Sequence, residues 1–286
     1  MMSMGVASER VQKVMARAGL GSRRGLEQDI ELSRVEINGG CATLGAQVGP
    51  GDQIDYQGKR YTVTSAEGPH QTLIYHKPEG EITTRDDPEG RKTVFDRLPS
   101  IQNGRWIAIG RLDINTAGLL LLTTDGELAH QMMHPSRAVD REYLCRIRGE
   151  VSEAQIQALV EGVQLDDGIA KFSDVVLGEY TGSHTWVTVT LLEGRNREVR
   201  RLWAAVDAQV ARLKRVRFGP VFLPAHVRSG RYQHLTPRDH EILREDVGLA
   251  PTVSELILVP EKGRSGSASS PRSGAHRRKK RHRRRH

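Results

Sequence analysis

The sequence predicts an α+β protein in three segments. They are a small N-terminal α/β domain, a larger domain with a mostly antiparallel or mixed sheet flanked by helices, and a disordered basic C-terminal tail. Three observations carry this. Short apolar runs with strand alternation recur between Gly, Pro and Asn-Gly turns, with only a few stretches of helical spacing among them. Near the start, apolar residues follow a helical period before strand patterns take over. Charge is also lopsided: eight of the 43 Lys and Arg fall in the closing HRRKKRHRRRH, which has no acid. The remaining basic residues match the 35 Asp and Glu, so the tail carries the net +8. Such a block repels itself, stays unfolded and suits a polyanion, with an affinity that falls as salt rises.

The first domain is expected over residues 8–66. Val11, Val14, Met15 and Ala18 form one helical face, and Gly19 offers a stop. Ser22 offers an N-cap for a second helix containing Leu26 and Ile30. Arg34 to Ile37 alternates like a strand and runs into Asn38-Gly39, a tight-turn signal. A turn at Gly49-Pro50-Gly51-Asp52 precedes strands at Gln53 to Tyr56 and Arg60 to Thr64. Arg10, Lys13 and Arg17 form a second stripe on the first helix, with Arg23, Arg24 and Arg34 close by in sequence. Six cations in so short a stretch suit a phosphate-contacting surface, although a basic stripe is often only a solvated face.

Ser65 to His70 reads as a linker, and the second domain is expected over 71–248. Strands are expected at Leu73 to Lys77, Arg105 to Ile109, Leu119 to Thr123, Arg141 to Arg148, Val175 to Leu177 and Trp186 to Leu192. Ser152 and Gln155 make a capping box for a helix through Val160, closed by Gly162. A helix from about Asn196 to Val206, a strand from Val210 to Phe218 with outward basic residues, and a last helix from Pro237 complete the pattern. Leu249 to His286, with SGSASSPRSG inside it, reads as a flexible tail.

Several function classes are disfavoured. No apolar run approaches the roughly 20 residues of a membrane span. The stretch MMSMGVASER lacks the apolar region of a signal peptide, so a cytosolic protein is expected. The two cysteines, Cys41 and Cys145, do not make a disulfide framework or a zinc site. None of the 11 histidines sits in a metal-ligand or triad pattern.

One stretch stands apart: GRLDINTAGLLLLTTDGEL, Gly110 to Leu128. It holds Asp113 in a short polar turn against four leucines, where Gly110 and Gly118 let backbone approach closely, and a second turn is expected at Asp125-Gly126. A carboxylate in an apolar setting either caps a turn or is held ionised by a cation to do work. Spacing alone favours the cap. Read whole, the stretch resembles the signature around the catalytic aspartate of pseudouridine synthases, in the branch acting on bacterial ribosomal RNA. YHKPEGEITTRDDPEGRKTVFDRLP, HPSRAVDREYLCRIRG and LLEGRNREVRRLWAAV fit the same family in order. The helix, Gly, Ser-Arg-Arg, helix and Arg-Val-x-x-Asn-Gly of the first domain resemble the S4 RNA-binding module. Ser33 stands there where a small turn residue such as Gly is expected.

The resemblance implies isomerisation of a uridine from an N- to a C-glycosidic link in large-subunit, 23S ribosomal RNA, free or in an assembling subunit. It implies no metal and no nucleotide cofactor, and a monomer is expected. Asp113 matches the essential carboxylate, as nucleophile or as base, and Tyr143 the active-site tyrosine, which stacks on the extruded uracil. Arg200 matches the active-site cation, expected to pair with Asp113 through a bidentate bond. Arg197, Arg201 and Arg111 are expected at RNA, Arg111 as a phosphate contact or a loop brace, and Leu202 against the uracil pocket. Arg212, Lys214, Arg215 and Arg217 are expected to extend the RNA-binding face. The rival readings are a non-catalytic RNA-binding or ribosome-assembly factor, and a sister synthase acting at another ribosomal site.

Overall fold

The computed structural model describes residues 8–66, 70–101, 104–251 and 255–261. The N-terminal unit comprises β1 (Glu9–Arg10), α1 (Val11–Arg17), α2 (Arg23–Glu31), β2 (Val35–Ile37), β3 (Gly40–Cys41), β4 (Gln47–Val48), β5 (Gln53–Tyr56) and β6 (Lys59–Ala66). The apolar face of α1 is buried as its spacing requires, with Val11, Val14 and Met15 wholly covered. Ser22 caps α2 by accepting a hydrogen bond from Gly25 N. Ser33 adopts a left-handed φ of 53°, the conformation for which a glycine was expected there.

The larger unit contains β7 (Thr72–Lys77), β8 (Ile107–Ile109), β9 (Ala117–Thr123), α3 (Gly126–Met133), β10 (Arg141–Arg148), α4 (Glu153–Glu161), β11 (Val163–Leu165) and β12 (Gly168–Ala170). It continues with β13 (Asp174–Tyr180), β14 (His184–Leu191), α5 (Glu198–Ala204), β15 (Val210–Phe218), β16 (Val221–Phe222), β17 (Tyr232–His234) and α6 (Pro237–Asp246). A mixed sheet runs β13-β14-β10-β15-β9-β7-β17, with β8 beside β9 and β16 beside β15. The β9–β15 pair is parallel, and its neighbours are antiparallel. Leu119, Leu120, Leu121 and Leu122 of β9 are completely buried because each face meets its own core. Leu120 and Leu122 join the cluster with Trp203, and Leu119 and Leu121 the one with Leu128 and Phe218. Among the described residues, no helix is long and apolar enough to cross a membrane.

Two sequence expectations are corrected here. The tail was placed from Leu249 onward, yet Glu255–Pro260 forms a strand, β18, which pairs antiparallel with β6. Its alternation buries Leu256 and Leu258 in the N-terminal core. The strand covers an edge of β6 that would otherwise present unpaired main-chain groups. The closing Gly/Ser/Pro-rich and basic residues lie outside the described residues. Asp125-Gly126, read as a simple turn, is instead the start of α3. The Asp125 carboxylate accepts hydrogen bonds from Glu127 N and Leu128 N.

Candidate active site

The site begins with main-chain geometry at the lower end of β9. Gly118, at φ 109°, lies so close to β15 that a Cβ there would stand 2.2 Å from the Arg215 carbonyl oxygen. Only glycine allows the parallel pairing Arg215–Gly118. The preceding turn closes through the Asp113 carbonyl, which accepts from Thr116 N at 3.0 Å. Lys77, wholly buried, donates from Nζ to the carbonyls of Pro78, Asp113 and Thr116 at 3.0, 3.0 and 2.9 Å. Burial pulls its ammonium down to about 8 against the opposing charges of Glu81, Asp113 and Glu79.

Asp113 itself therefore does not cap the turn. Its main chain does that, and among the described residues nothing hydrogen-bonds or ion-pairs with its half-buried carboxylate. The carboxylate borders a cavity of about 370 Å³ that also meets Tyr143, Arg111, Arg141, Arg197, Glu198, Arg215 and Phe218. Tyr143, 9% exposed, stands on β10 opposite Arg215 of β15 and Val189 of β14. The structure thus places Asp113 and Tyr143 together, as expected from the sequence.

Arg200 is placed differently. It was expected to pair with the Asp113 carboxylate, but its Nη1 donates to the Val210 carbonyl at 2.9 Å and its Nη2 to the Asn115 carbonyl at 2.8 Å. Asn115 is in the same turn as Asp113, so Arg200 holds the loop by main-chain oxygens and does not line the cavity. Burial and the charge of Arg197 lower its pKa, opposed by Asp113. Leu202 also departs from expectation. It is fully buried in the core, and Leu191, Val199 and Leu213 line the cavity in its place.

Among the expected RNA contacts, Arg111 and Arg197 are exposed at the cavity, Arg197 with Nη1 3.5 Å from Asn115 Oδ1. Arg201 is engaged, with both Nη atoms 2.9 Å from the Asp167 carboxylate. On α1, Arg17 turns inward to bind Glu9, Glu255 and the Leu256 carbonyl, so it ties β18 to α1 and is not free for phosphate. Lys13 pairs with Glu9 at 2.9 Å and comes within 4.0 Å of Glu127 in the larger unit. Arg34 pairs with Asp29 at the surface, while Arg23 and Arg24 are exposed at the start of α2 and have no ion-pair partner among the described residues.

Arg141 and Arg215 are cavity residues that sequence reasoning did not put there. Arg215 was expected on an outward basic face but is 2% exposed. It shares the inward face of Leu213, two residues before it, and a β-bulge then parts it from Arg217: Glu142 faces Arg217 and the next residue, Tyr143, faces Arg215, which leaves Val216 as the extra residue. The bulge re-aims the strand, so strict alternation fails across it. Arg217 goes the other way, to Asp140 and Glu142. Glu198, 3% exposed at the start of α5, accepts from Arg195 N at 2.9 Å, and burial holds its carboxyl well above the usual range.

Comparison with known proteins gives these results. Residues 71–205 match the RNA pseudouridylate synthase family, and residues 9–54 match the S4 domain. Ribosomal large subunit pseudouridine synthase B of Pseudomonas aeruginosa is 55% identical over 247 residues, covering 85% of this chain and 64% of the relative. The protein of that name from Xylella fastidiosa is 49% identical, and the chain spans 56% of its length. The chain thus spans less than two thirds of either of these relatives. The Escherichia coli K12 protein of that name is 51% identical over 268 residues, covering 93% of this chain and 92% of the relative. A solved structure described as a pseudouridylate synthase is 30% identical, with a TM-score of 0.57, covering 82% of this chain and 99% of that one.

Proposed function

Since the chain belongs to the RNA pseudouridylate synthase family and carries an S4 domain, we propose that it converts one uridine of large-subunit, 23S ribosomal RNA to pseudouridine in the cytoplasm. The observation that carries this reading is the Asp113 carboxylate, without a partner among the described residues and on the same cavity as Tyr143, while its main chain is fixed by Lys77 and Thr116. A group so held meets the substrate already oriented.

In the reaction, the N1–C1′ bond of the uridine breaks and a C5–C1′ bond forms. The C5 proton leaves and N1 gains one. The base must first leave its stack, at a cost of a few kcal/mol offset by contacts in the cavity. Asp113 acts at the ribose beside the breaking bond, as nucleophile at C1′ or as base at C2′. Tyr143, which lines the same cavity, offers its ring for stacking on the extruded uracil and its hydroxyl for proton movement. Arg200 serves as a positioning residue, through Asn115, and not as the direct ion-pair partner of Asp113. Arg23, Arg24, Arg111 and Arg197 remain the exposed cations for the RNA backbone.

The experiment is pseudouridine mapping of ribosomal RNA from cells lacking this protein, complemented with wild type or Asp113→Asn. One large-subunit site restored by wild type alone is the expected result. A small-subunit site would move the target, and an unchanged map would favour the assembly-factor reading.

A further inference from the structure

Arg141 and Arg215 present an electrostatic problem that the proposed reaction, as described so far, does not solve. Both guanidinium carbons lie 4.9 Å from the centroid of the same ring, Phe218. Arg141 of β10 is directly opposite Phe218 of β15, and the bulge at Val216 brings Arg215 to the same cavity. Neither arginine forms an ion pair among the described residues. Arg141 Nη1 is held by the carbonyls of Val139 and Leu192 at 2.7 and 3.3 Å. Arg215 Nε donates to the Leu119 carbonyl at 2.8 Å, while its buried Nη2 has no hydrogen-bond partner among the described residues.

Two like charges around one ring, Arg215 buried and Arg141 half-buried, with an orphaned N–H, call for an anion. Among the described residues no carboxylate pairs with either arginine, although Glu198 and Asp140 act on Arg141 from a distance. Asp113 is on the same cavity, but its loop is anchored by Lys77 and Thr116, and its carboxylate is paired with neither arginine. Glu198 is turned to Arg195 N, and burial favours its neutral form. A phosphate group suits the vacancy in charge, since guanidinium forks match its oxygens.

We propose that Arg141 and Arg215, on either flank of the Phe218 ring, form an anion subsite that takes a phosphodiester adjoining the uridine in the cavity. The inference rests on the proposed function for the identity of the anion, and on the structure alone for the subsite. The pair fixes the backbone of the extruded nucleotide from inside the cavity, so its ribose cannot slide past Asp113. It differs from the surface cations of α2, which steer RNA from outside.

The test is a chemical double-mutant cycle on the full chain, using an RNA fragment that spans the mapped uridine. One linkage, 5′ or 3′ of that uridine, is made an uncharged methylphosphonate. With wild type, one of the two positions should lower kcat/KM by about 10- to 100-fold. Arg215→Met and Arg141→Met should each show a loss of that order on charged RNA, and little further loss on the neutral linkage. Losses that multiply, or a wild type indifferent to both linkages, would overturn the subsite. Arg141→Met, at a half-buried position, keeps the test open should Arg215→Met fail to fold.

A second arm needs no turnover. Inorganic phosphate, against chloride at equal ionic strength, should raise the melting temperature of wild type more than that of Arg141→Met. Equal shifts would overturn the subsite. If the fragment is not a substrate of wild type, the functional reading falls, and the phosphate titration alone decides whether the subsite exists.

Discussion

Asp113 and Asp125 stand at opposite ends of the same leucine strand, β9, each in a short polar turn. Asp125 is wholly buried. One of its oxygens caps α3, and the other meets Arg244, with His240 Nε2 at 3.4 Å and His70 Nε2 at 3.9 Å. Burial would raise its pKa, yet the contacts of His240, His70, Leu128 N and Arg244 hold it far below the usual carboxylate range. Asp113 is half-exposed, and its turn is made by its carbonyl. A carboxylate is free for chemistry when main-chain groups and a buried lysine do the work of holding the loop. Where the carboxylate itself holds the structure, it is consumed by that task.

Four measurements would break or sharpen this contrast, from the largest expected effect to the smallest. Asp113→Asn should lower turnover of the RNA substrate by at least about a thousandfold. Its urea midpoint should correspond to a stability change within about 0.5 kcal/mol, because no protein partner is lost. A large loss of stability would mean that the carboxylate is structural after all. Asp125→Ala should do the reverse. Removing one partner of a buried charged cluster, together with a helix cap, should cost about 3–5 kcal/mol in urea unfolding. Activity per folded molecule should be retained.

Arg200→Met tests the loop itself. Loss of its bonds to Asn115 and Val210 should lower kcat by about 10- to 100-fold through misplacement of Asp113, with KM little changed. An unaltered kcat would remove Arg200 from the site. The smallest effect is an acid titration. The pKa of Asp125 is lowered in the folded state, so its stabilisation is complete above its unfolded value of 3.8 and fades as pH falls below it. Between pH 5 and 3, wild type should lose about 1 kcal/mol more stability than Asp125→Asn. Equal losses would assign the acid sensitivity elsewhere. Glu9 is one such group: burial raises its pKa, but Arg17 and Lys13 bring it down to about 2.

That Asp113 and Tyr143 border one cavity was legible only through the resemblance of their motifs to the family, since spacing alone favoured a cap for Asp113; the turn glycines were legible from local conformation. Gly118 is an example, since only its missing side chain lets β15 approach. That Arg215 and Phe218 share a face was not legible, because one extra residue between them, Val216, defeats the period-two rule without any mark in composition. Arg200 was put in the right neighbourhood but with the wrong acceptor, as helix geometry gives a direction and not a partner. Helix α3 was missed for a similar reason. Asp125-Gly126 begins a helix and a turn alike, and the deciding contacts, from His240 and Arg244, come from more than 100 residues away. Strand β18 was hidden by its neighbours, since six residues of ELILVP precede a long Gly/Ser-rich stretch.

That strand also fixes an order of events during synthesis. β6 ends at residue 66 and its partner begins at 255, so about 190 residues must emerge between them. At roughly 5–20 residues per second, the N-terminal sheet waits on the order of 10–40 s with one edge open. During that interval the pockets for Leu256 and Leu258 are empty, and Arg17 lacks both Glu255 and the Leu256 carbonyl. The N-terminal unit, although translated first, is therefore finished after the sheet of the larger unit. A nascent or clipped chain short of residue 255 would carry an N-terminal unit with one edge of its sheet unpaired and its core unfilled at Leu256 and Leu258.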